Sequence, residues 1–168
     1  FDGVDDYVEI DDDADINFSG DFAVSCWIYP NVTSGNRIII SKASGWAVGS
    51  VDKGYRLGLN ADELNLELPD GSLRNTNLST TSLSADQWYH IVAGRESGDA
   101  FIYMNGVQEV LKTSNSSAVD LSNAIALRIG FDSTVDRLFD GEISSLKLWN
   151  TALTATEVKE LYSGASVP

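Results

Sequence analysis

The stretch WYHIVAGRESGDAFIYMNGVQEV, residues 88–110, decides the fold class of this chain. Apolar side chains recur with a period of two in WYHIVAGR (88–95) and AFIYMNGV (100–107), which is typical of β-strands with one buried face. Asn-Gly at 105–106 separates FIYM from VQEV, and this pair between alternating segments is a strong signal for a tight hairpin. The stretch therefore predicts antiparallel strands joined by short turns.

The same period of two recurs along the rest of the chain. It appears in YVEI (7–10), FAVSCWIYP (22–30), YRLGLN (55–60), LNLEL (64–68), ALRIG (126–130) and ISSLKLWN (143–150). Pro-Asp-Gly at 69–71 and Asp-Gly at 140–141 supply turns between them. Many short strands at this spacing predict an all-β fold, a two-sheet antiparallel sandwich or jelly roll. One short C-terminal helix is predicted in TALTATEVKELY, where Thr154 and Glu157 form a capping box.

Composition limits the class of protein. A chain of 168 residues with 43% hydrophobic content fits one globular domain, and no linker composition divides residues 1–168. The net charge of −14, with 11 Lys and Arg, argues against nucleic acid as a partner. No apolar run reaches the roughly 20 residues that a membrane-spanning helix needs, so we expect no membrane insertion. Cys26 lies in an apolar run and is interpreted as a buried hydrophobic residue.

Five blocks of the chain carry a specific resemblance. They are FDGVDDYVEI (1–10), DFAVSCWIYP (21–30), IIISK (38–42), QWYHIVAGRESGDAFIYMNGVQ (87–108), and LRIGF with FDGEISSLKLWNTALTATEV (127–131 and 139–158). In this order and spacing they resemble the laminin-G-like domains of the concanavalin A-like lectin/glucanase superfamily. The resemblance implies a jelly roll whose first and last strands are neighbours, an extracellular location, frequent bound calcium, and recognition of glycans or proteins. Ser144 departs from the family pattern, which often has Asp at this position.

The acidic N-terminus raises the question of a calcium site. An EF-hand loop starting at Asp11 is excluded, because Ile16 and Phe22 occupy the positions that need Gly and Glu. If the first and last strands are neighbours, the FDG triplets at 1–3 and 139–141 bring Asp2 and Asp140 together. A calcium ion would relieve the repulsion between their carboxylates, so we predict Ca²⁺ as a cofactor held there. The other N-terminal carboxylates are interpreted as a solvated surface.

One strand raises the question of catalysis. ELNLE (63–67) places Glu63, Asn65 and Glu67 on one face, and it is similar to the Glu-x-Asp-x-Glu strand of laminarinase-type glycoside hydrolases. Asn65 cannot exchange a proton as Asp would. We therefore interpret ELNLE as a solvated sheet face and predict a protein that is not an enzyme, with hydrolysis by Glu63 and Glu67 as a less favoured alternative.

Two loops supply candidate ligand contacts. Trp46 stands in a Gly- and Ser-rich connection with Tyr55 and Arg56 close behind, and GFDSTVDRLFDG carries Asp132, Asp136 and Arg137. Trp88 and Trp149 are interpreted as packing residues. We predict a non-catalytic, lectin-like module of a larger secreted or cell-surface protein, with a polysaccharide or glycan as partner. The alternative is an adhesion domain that binds a cell-surface protein.

Overall fold

A computed structural model describes residues 1–43, 53–71, 74–111, 120–132 and 137–164. The strands in these residues are β1 Val8–Ile10, β2 Phe22–Pro30, β3 Asn36–Lys42, β4 Tyr55–Asn60, β5 Glu63–Pro69, β6 Arg74–Ser82, β7 Tyr89–Glu96, β8 Asp99–Met104, β9 Val107–Gln108, β10 Leu127–Ile129 and β11 Gly141–Trp149. A 3-10 turn spans Ala14–Ile16, and helix α1 spans Ala155–Gly164.

The strands form two antiparallel sheets. One sheet has six strands in the order β1-β10-β3-β4-β5-β6, and the other has five in the order β11-β2-β7-β8-β9. Alternate side chains of the two sheets meet in a buried core that includes Ile28, Leu57, Leu66 and Ile91. The predicted all-β, two-sheet sandwich is confirmed.

The predicted strands coincide closely with the observed ones. FAVSCWIYP and YRLGLN are β2 and β4 over their full lengths. The Asn-Gly hairpin joins β8 to β9, with φ of 51° at Asn105 and 78° at Gly106, the positive values that a tight hairpin turn requires. Cys26 is buried in the core, and its burial raises the pKa of the thiol to about 12, as expected of an inert hydrophobic side chain.

Strands β3 and β6 depart from the alternating pattern. In β3 the pairing register shifts between Ile38 and Ile40, and this irregularity lets both Ile39 and Ile40 enter the core. In β6 the sequence RNTNLSTTS is almost entirely polar. Its Asn77 is nevertheless buried, and the side-chain Nδ2 donates to the carbonyl of Leu66 (3.2 Å) on the neighbouring strand.

The predicted helix is confirmed with its capping box. The Thr154 backbone N–H donates to Glu157 Oε2 (2.7 Å), and the Glu157 N–H donates to Thr154 Oγ1 (3.3 Å). The helix packs on the outer face of the five-stranded sheet, where buried Val158 contacts a second apolar cluster that includes Val92. Tyr162 stacks at 5.9 Å on Trp27. In the described part of the chain, no helix has the length and apolarity needed to cross a membrane.

A row of polar residues crosses the outer face of the six-stranded sheet from one edge to the other. We call it the polar row; its members, paired strand by strand, are Glu9, Arg128, Ser41, Arg56, Glu67 and Thr76. At the β1 edge, the side chains of Glu9 and Arg128 are 42% and 23% exposed and form an ion pair at 2.7 Å. In the middle of the sheet, Arg56 and Glu67 are only 3% and 2% exposed. The row therefore runs from a hydrated end at the β1 edge to a buried centre.

Candidate functional site

Three of the predicted ligand contacts form one buried cluster. Arg56 Nε lies 3.7 Å from Asp132 Oδ2, and Arg137 Nη1 donates to the same oxygen at 3.4 Å. Asp132 is fully buried, and both arginines are nearly so. Trp46 and Asp136 lie outside the described residues. The loop residues Asp132 and Arg137, which were predicted from the sequence, thus lie beside Arg56 on β4. Together the three side chains form a buried cluster of ion pairs.

Tyr55, the fourth described residue of that set, belongs to the core. Its ring packs against Phe18 at 5.2 Å and Phe22 at 5.4 Å, and its hydroxyl donates to the carbonyl of Ile16 (3.1 Å). Burial raises the pKa of this phenol far above its usual range. The residue therefore ties the sandwich to the 3-10 turn, and ligand contact by Tyr55, Arg56, Asp132 or Arg137 stays a prediction.

The ELNLE strand is not a solvated face. Asn65 and Glu67 are buried, so that interpretation is wrong for both, while Glu63 is half-buried. Glu67 Oε2 accepts from Arg56 Nη1 (3.3 Å), and Glu67 Oε1 accepts from Asn65 Nδ2 (3.2 Å). The Glu67 carboxylate is therefore buried on the outer face of the sheet, where Arg56 and Asn65 hold it. These contacts explain why a charged residue stands in the middle of the sheet.

The expected meeting of the two FDG triplets is confirmed. Asp2 and Asp140 are partners in an antiparallel bridge, and the Gly141 N–H donates to the carbonyl of Phe1 (3.0 Å). The implied pairing of the first and last strands is wrong, because β1 pairs with β10 in the six-stranded sheet while β11 belongs to the other sheet. The residues before β1 lie beside the start of β11. Asp140 Oδ1 accepts from Asn31 Nδ2 (2.8 Å).

Asp2 belongs to a group of three carboxylates. One oxygen from each of Asp2, Asp5 and Asp6 lies within 4.8 Å of the others, and all three residues are exposed. The Val4 backbone N–H, which donates to Asp2 Oδ1 (2.9 Å), holds the pKa of Asp2 below its usual value. An all-oxygen donor set of this kind fits a hard cation such as Ca²⁺. The sequence argument identified Asp2 here but not Asp5 or Asp6.

A cleft lies elsewhere in the described part of the chain, between the 3-10 turn and the end of β11. It has a volume of about 660 Å³. Its lining residues are Ala14, Asp15, Asn17, Phe18, Ser19, Gly20, Asp21, Leu148, Trp149 and Asn150. We call it the Trp149 cleft.

Hydrogen bonds fix one wall of the Trp149 cleft. Asn17 Nδ2 donates to Asp12 Oδ1 (2.9 Å), and Asn17 Oδ1 accepts from the Asn123 N–H (3.0 Å). Asp21 Oδ1 accepts from the Ser97 N–H (2.8 Å). The loop that carries the exposed Asp15 and Asp21 is therefore anchored to two other parts of the domain.

Trp149 forms the opposite wall and has two roles. Its half-buried side chain packs against the apolar cluster beneath α1, as the interpretation of a packing residue requires. It also lines the Trp149 cleft and a second depression of about 320 Å³ with Leu153, Glu157, Glu160 and Leu161. The sequence analysis did not identify Trp149 as a residue that lines a cleft. The signal present in the sequence was the pair Trp149-Asn150 at the end of the last strand.

The chemistry of the Trp149 cleft suits a polyhydroxylated ligand. An indole offers an apolar face, while carboxylates and amides offer hydrogen-bonding groups beside it. Among the described residues that line the cleft there is no Lys or Arg. The arrangement can hold a ligand, but it shows no nucleophile paired with a base.

Comparison with known proteins identifies a matching family and solved structures with a similar fold. Residues 2–159 match the family model described as the concanavalin A-like lectin/glucanases superfamily. The binding domain of Paraclostridial Mosquitocidal Protein 1 superposes with a TM-score of 0.72 at 17% identity, covering 94% of this chain and 41% of that one. Domain 4 of AbnA, a GH43 extracellular arabinanase from Geobacillus stearothermophilus, in complex with arabinotriose, gives 0.70 at 18% identity, covering 96% and 74%.

One curated relative is similar to this chain in sequence. Adhesion G-protein coupled receptor V1 of Danio rerio is 22% identical over 149 residues, which are 84% of this chain and 2% of the receptor. The chain thus spans a small fraction of that relative. On the strength of the match across residues 2–159, the chain belongs to the concanavalin A-like lectin/glucanases superfamily.

Proposed function

We propose that this domain is a non-catalytic carbohydrate-binding module of an extracellular protein, and that it binds a glycan in the Trp149 cleft. The observation that carries the proposal is the cleft itself, which is lined by Trp149 together with the exposed carboxylates of Asp15 and Asp21 on an anchored loop. Its volume of about 660 Å³ lies within the range of about 300–1,000 Å³ typical of small-molecule sites.

A sugar ring fits both walls of the cleft. The C–H face of a pyranose can pack on the Trp149 indole, while its hydroxyls donate to the carboxylate of Asp15 or Asp21 and bond with the amide of Asn150. The solved relatives support this class of ligand, since one is a domain in complex with arabinotriose. The relation to an adhesion receptor supports an extracellular or cell-surface location.

A specific surface favours a second candidate, an adhesion domain that binds a cell-surface protein. Exposed apolar residues lie on and before β1, which is the edge strand of the six-stranded sheet among the described strands. They are Val4, Tyr7, Val8 and Ile10. A partner protein could add a strand or cover these side chains. Capture of a protein partner without competition by glycans would favour this candidate over the first.

Truncating the aromatic wall is expected to remove most glycan binding. Trp149→Ala should weaken binding by about tenfold or more, because a central aromatic anchor typically contributes at least about 2 kcal/mol. Titration calorimetry against a panel of soluble polysaccharides identifies the ligand and measures the loss.

Two further variants separate binding from folding. Trp88→Ala removes another half-buried tryptophan, one that packs on Tyr29 outside the cleft, and should leave affinity unchanged. Asp15→Ala truncates an exposed cleft residue and should lower affinity without a change in melting temperature. Equal affinity of the Trp149→Ala, Asp15→Ala and wild-type proteins for the identified glycan would contradict a site in this cleft.

We also propose that calcium binds at the acidic end of the domain. Asp2 and Asp140 are the ligands predicted from the sequence, and Asp5 and Asp6 stand ready to complete an oxygen donor set. The ion would neutralise carboxylates that otherwise repel each other, and it would join the first residues of the chain to β11.

Removal of calcium is expected to lower the melting temperature. Extracellular modules bind Ca²⁺ with Kd values of about 10⁻⁴–10⁻³ M. A tenfold excess of calcium over Kd should then stabilise the domain by about 1.4 kcal/mol relative to EDTA. Asp2→Asn should abolish the shift, whereas Asp11→Asn, at an exposed carboxylate outside the group of three, should retain it. Identical melts in EDTA and calcium would contradict the site.

A further inference from the structure

Carboxylates stand on both sides of Trp149. Asp15 and Asp21 line the Trp149 cleft, and Glu157 and Glu160 line the second depression. All four residues are exposed, and among the described residues lining either depression there is no Lys or Arg. A ligand that crosses the indole therefore meets carboxylates before and after it, and no described residue that lines either depression is basic. The Arg95 guanidinium interacts with Asp21, but it is buried and its Nε donates to the Gly20 carbonyl (3.2 Å).

Two of the four carboxylates are held in place by the fold. Asp21 is fixed by the Ser97 N–H, and Glu157 by its bonds to the backbone N–H and the hydroxyl of Thr154, each 2.7 Å. The Thr154 backbone N–H is also the main reason that the pKa of Glu157 lies below its usual value. These side chains are anchored anions, so they need little reorganisation to receive a cation.

Both the carboxylates and the indole of this surface attract a cationic ligand. An ammonium group forms charge-assisted hydrogen bonds to carboxylates, and it is attracted to the face of an indole. A uronate or sulfate group in the same place would be repelled, and the net charge of −14 adds to that repulsion at long range. Charge therefore discriminates among glycans at this site.

We propose that the two depressions joined by Trp149 select amino sugars with a free ammonium group, such as a chain of glucosamine units, over neutral and anionic sugars. This inference rests on the proposed glycan-binding function and specifies its ligand. Asp15 and Asp21 receive the ammonium groups on one side of the indole, and Glu160 receives one on the other. Trp149 packs against the sugar ring between them.

The test compares two oligosaccharides that differ in charge. A glucosamine hexamer and an N-acetylglucosamine hexamer are titrated into the protein in low salt at a pH of about 5.5, where amines are protonated. The charged hexamer should bind about tenfold or more tightly, and this preference should fall as the pH rises to about 8.5 and the amines lose their charge.

Matched variants distinguish the site from general attraction to an acidic protein. Asp15→Asn with Glu160→Gln should reduce the preference to about twofold or less. Asp11→Asn with Glu142→Gln removes the same charge from exposed residues outside both depressions, and it should leave the preference intact. Equal losses in the two double variants would overturn the inference, because the attraction would then be non-specific.

The remaining outcomes distinguish failure of the selectivity from failure of the proposed glycan-binding function. Equal binding of both hexamers, or binding only of a neutral glucan through Trp149, would overturn the selectivity while leaving the glycan-binding function in place. Binding of a lysine hexapeptide but not of glucosamine would assign the surface to a basic peptide and overturn the inference. The absence of binding by any glycan would overturn the proposed function together with the inference.

Discussion

Replacing Arg56 by methionine is expected to lower the free energy of unfolding by about 3–5 kcal/mol, because removing one partner leaves buried charges uncompensated. Arg56 Nη1 lies 3.3 Å from Glu67 Oε2, and Arg56 Nε lies 3.7 Å from Asp132 Oδ2. Arg137 still pairs with Asp132 in the variant, so the charge left with least compensation is that of Glu67. Urea unfolding followed by tryptophan fluorescence measures the change.

The polar row supplies a matched control for this variant. Arg128→Met removes the same kind of side chain from the same face, but its pair with Glu9 is partly exposed and should contribute less than about 1 kcal/mol. Arg56→Met combined with Glu67→Leu should recover part of the loss, since no unpaired carboxylate then remains at position 67. Equal stability of Arg56→Met and Arg128→Met would show that the buried pair contributes nothing beyond a surface pair.

Lys42→Met is expected to be similarly severe, with a loss of about 3 kcal/mol or more. The side chain is fully buried, and its Nζ donates to Asp12 Oδ1 (2.7 Å), the Ile125 carbonyl (2.8 Å) and the Asn123 carbonyl (3.0 Å). This one ammonium group joins β3 to the acidic N-terminal loop and to the segment before β10. Lys53→Met is the matched control, because its pair with Asp120 is wide (3.8 Å) and exposed.

The same variant should change the response to acid. The hydrogen bond from Lys42 is the main cause of a lowered pKa at Asp12 in the folded state. The stability from this pair is therefore present above the unfolded pKa of about 3.9, and it is lost as the pH falls through the lower folded value. Unfolding curves taken from about pH 6 to about pH 2 should fall less steeply for Lys42→Met than for wild type. Parallel curves for the two proteins would contradict the coupling.

The sandwich was predictable because its strands obey a local rule. Wherever one face packs on the core, apolar residues alternate, and the boundaries of β2 and β4 follow directly from that pattern. Strand β6 does not obey the rule, because buried polar side chains stand in it and bond to the backbone of the neighbouring strand. Asn77 donates to Leu66, and Ser79 Oγ accepts from the Leu64 N–H (3.0 Å). Such bonds exist only after the strands have paired, so the sequence alone does not reveal them.

The candidate site was predictable only where the sequence repeated itself. The two FDG triplets pointed to Asp2 and Asp140, whose pairing is confirmed. Burial of Glu67 could not be predicted, because coverage of a sheet's outer face is a property of the whole fold. The Trp149 cleft was missed for a related reason. Its walls come from opposite ends of the chain, at Ala14–Asp21 and Leu148–Asn150, and neither segment carries a motif.

The gradient of exposure along the polar row makes the six-stranded sheet respond unevenly to ionic strength. Salt screens the hydrated pair of Glu9 and Arg128 at the β1 edge, whereas the buried pair of Arg56 and Glu67 is largely shielded from counter-ions. As salinity rises, β1 loses electrostatic support while β4 and β5 keep theirs. Of these two pairs, the one at the β1 edge should therefore be the more sensitive to salt, and the one at the centre of the sheet the less sensitive.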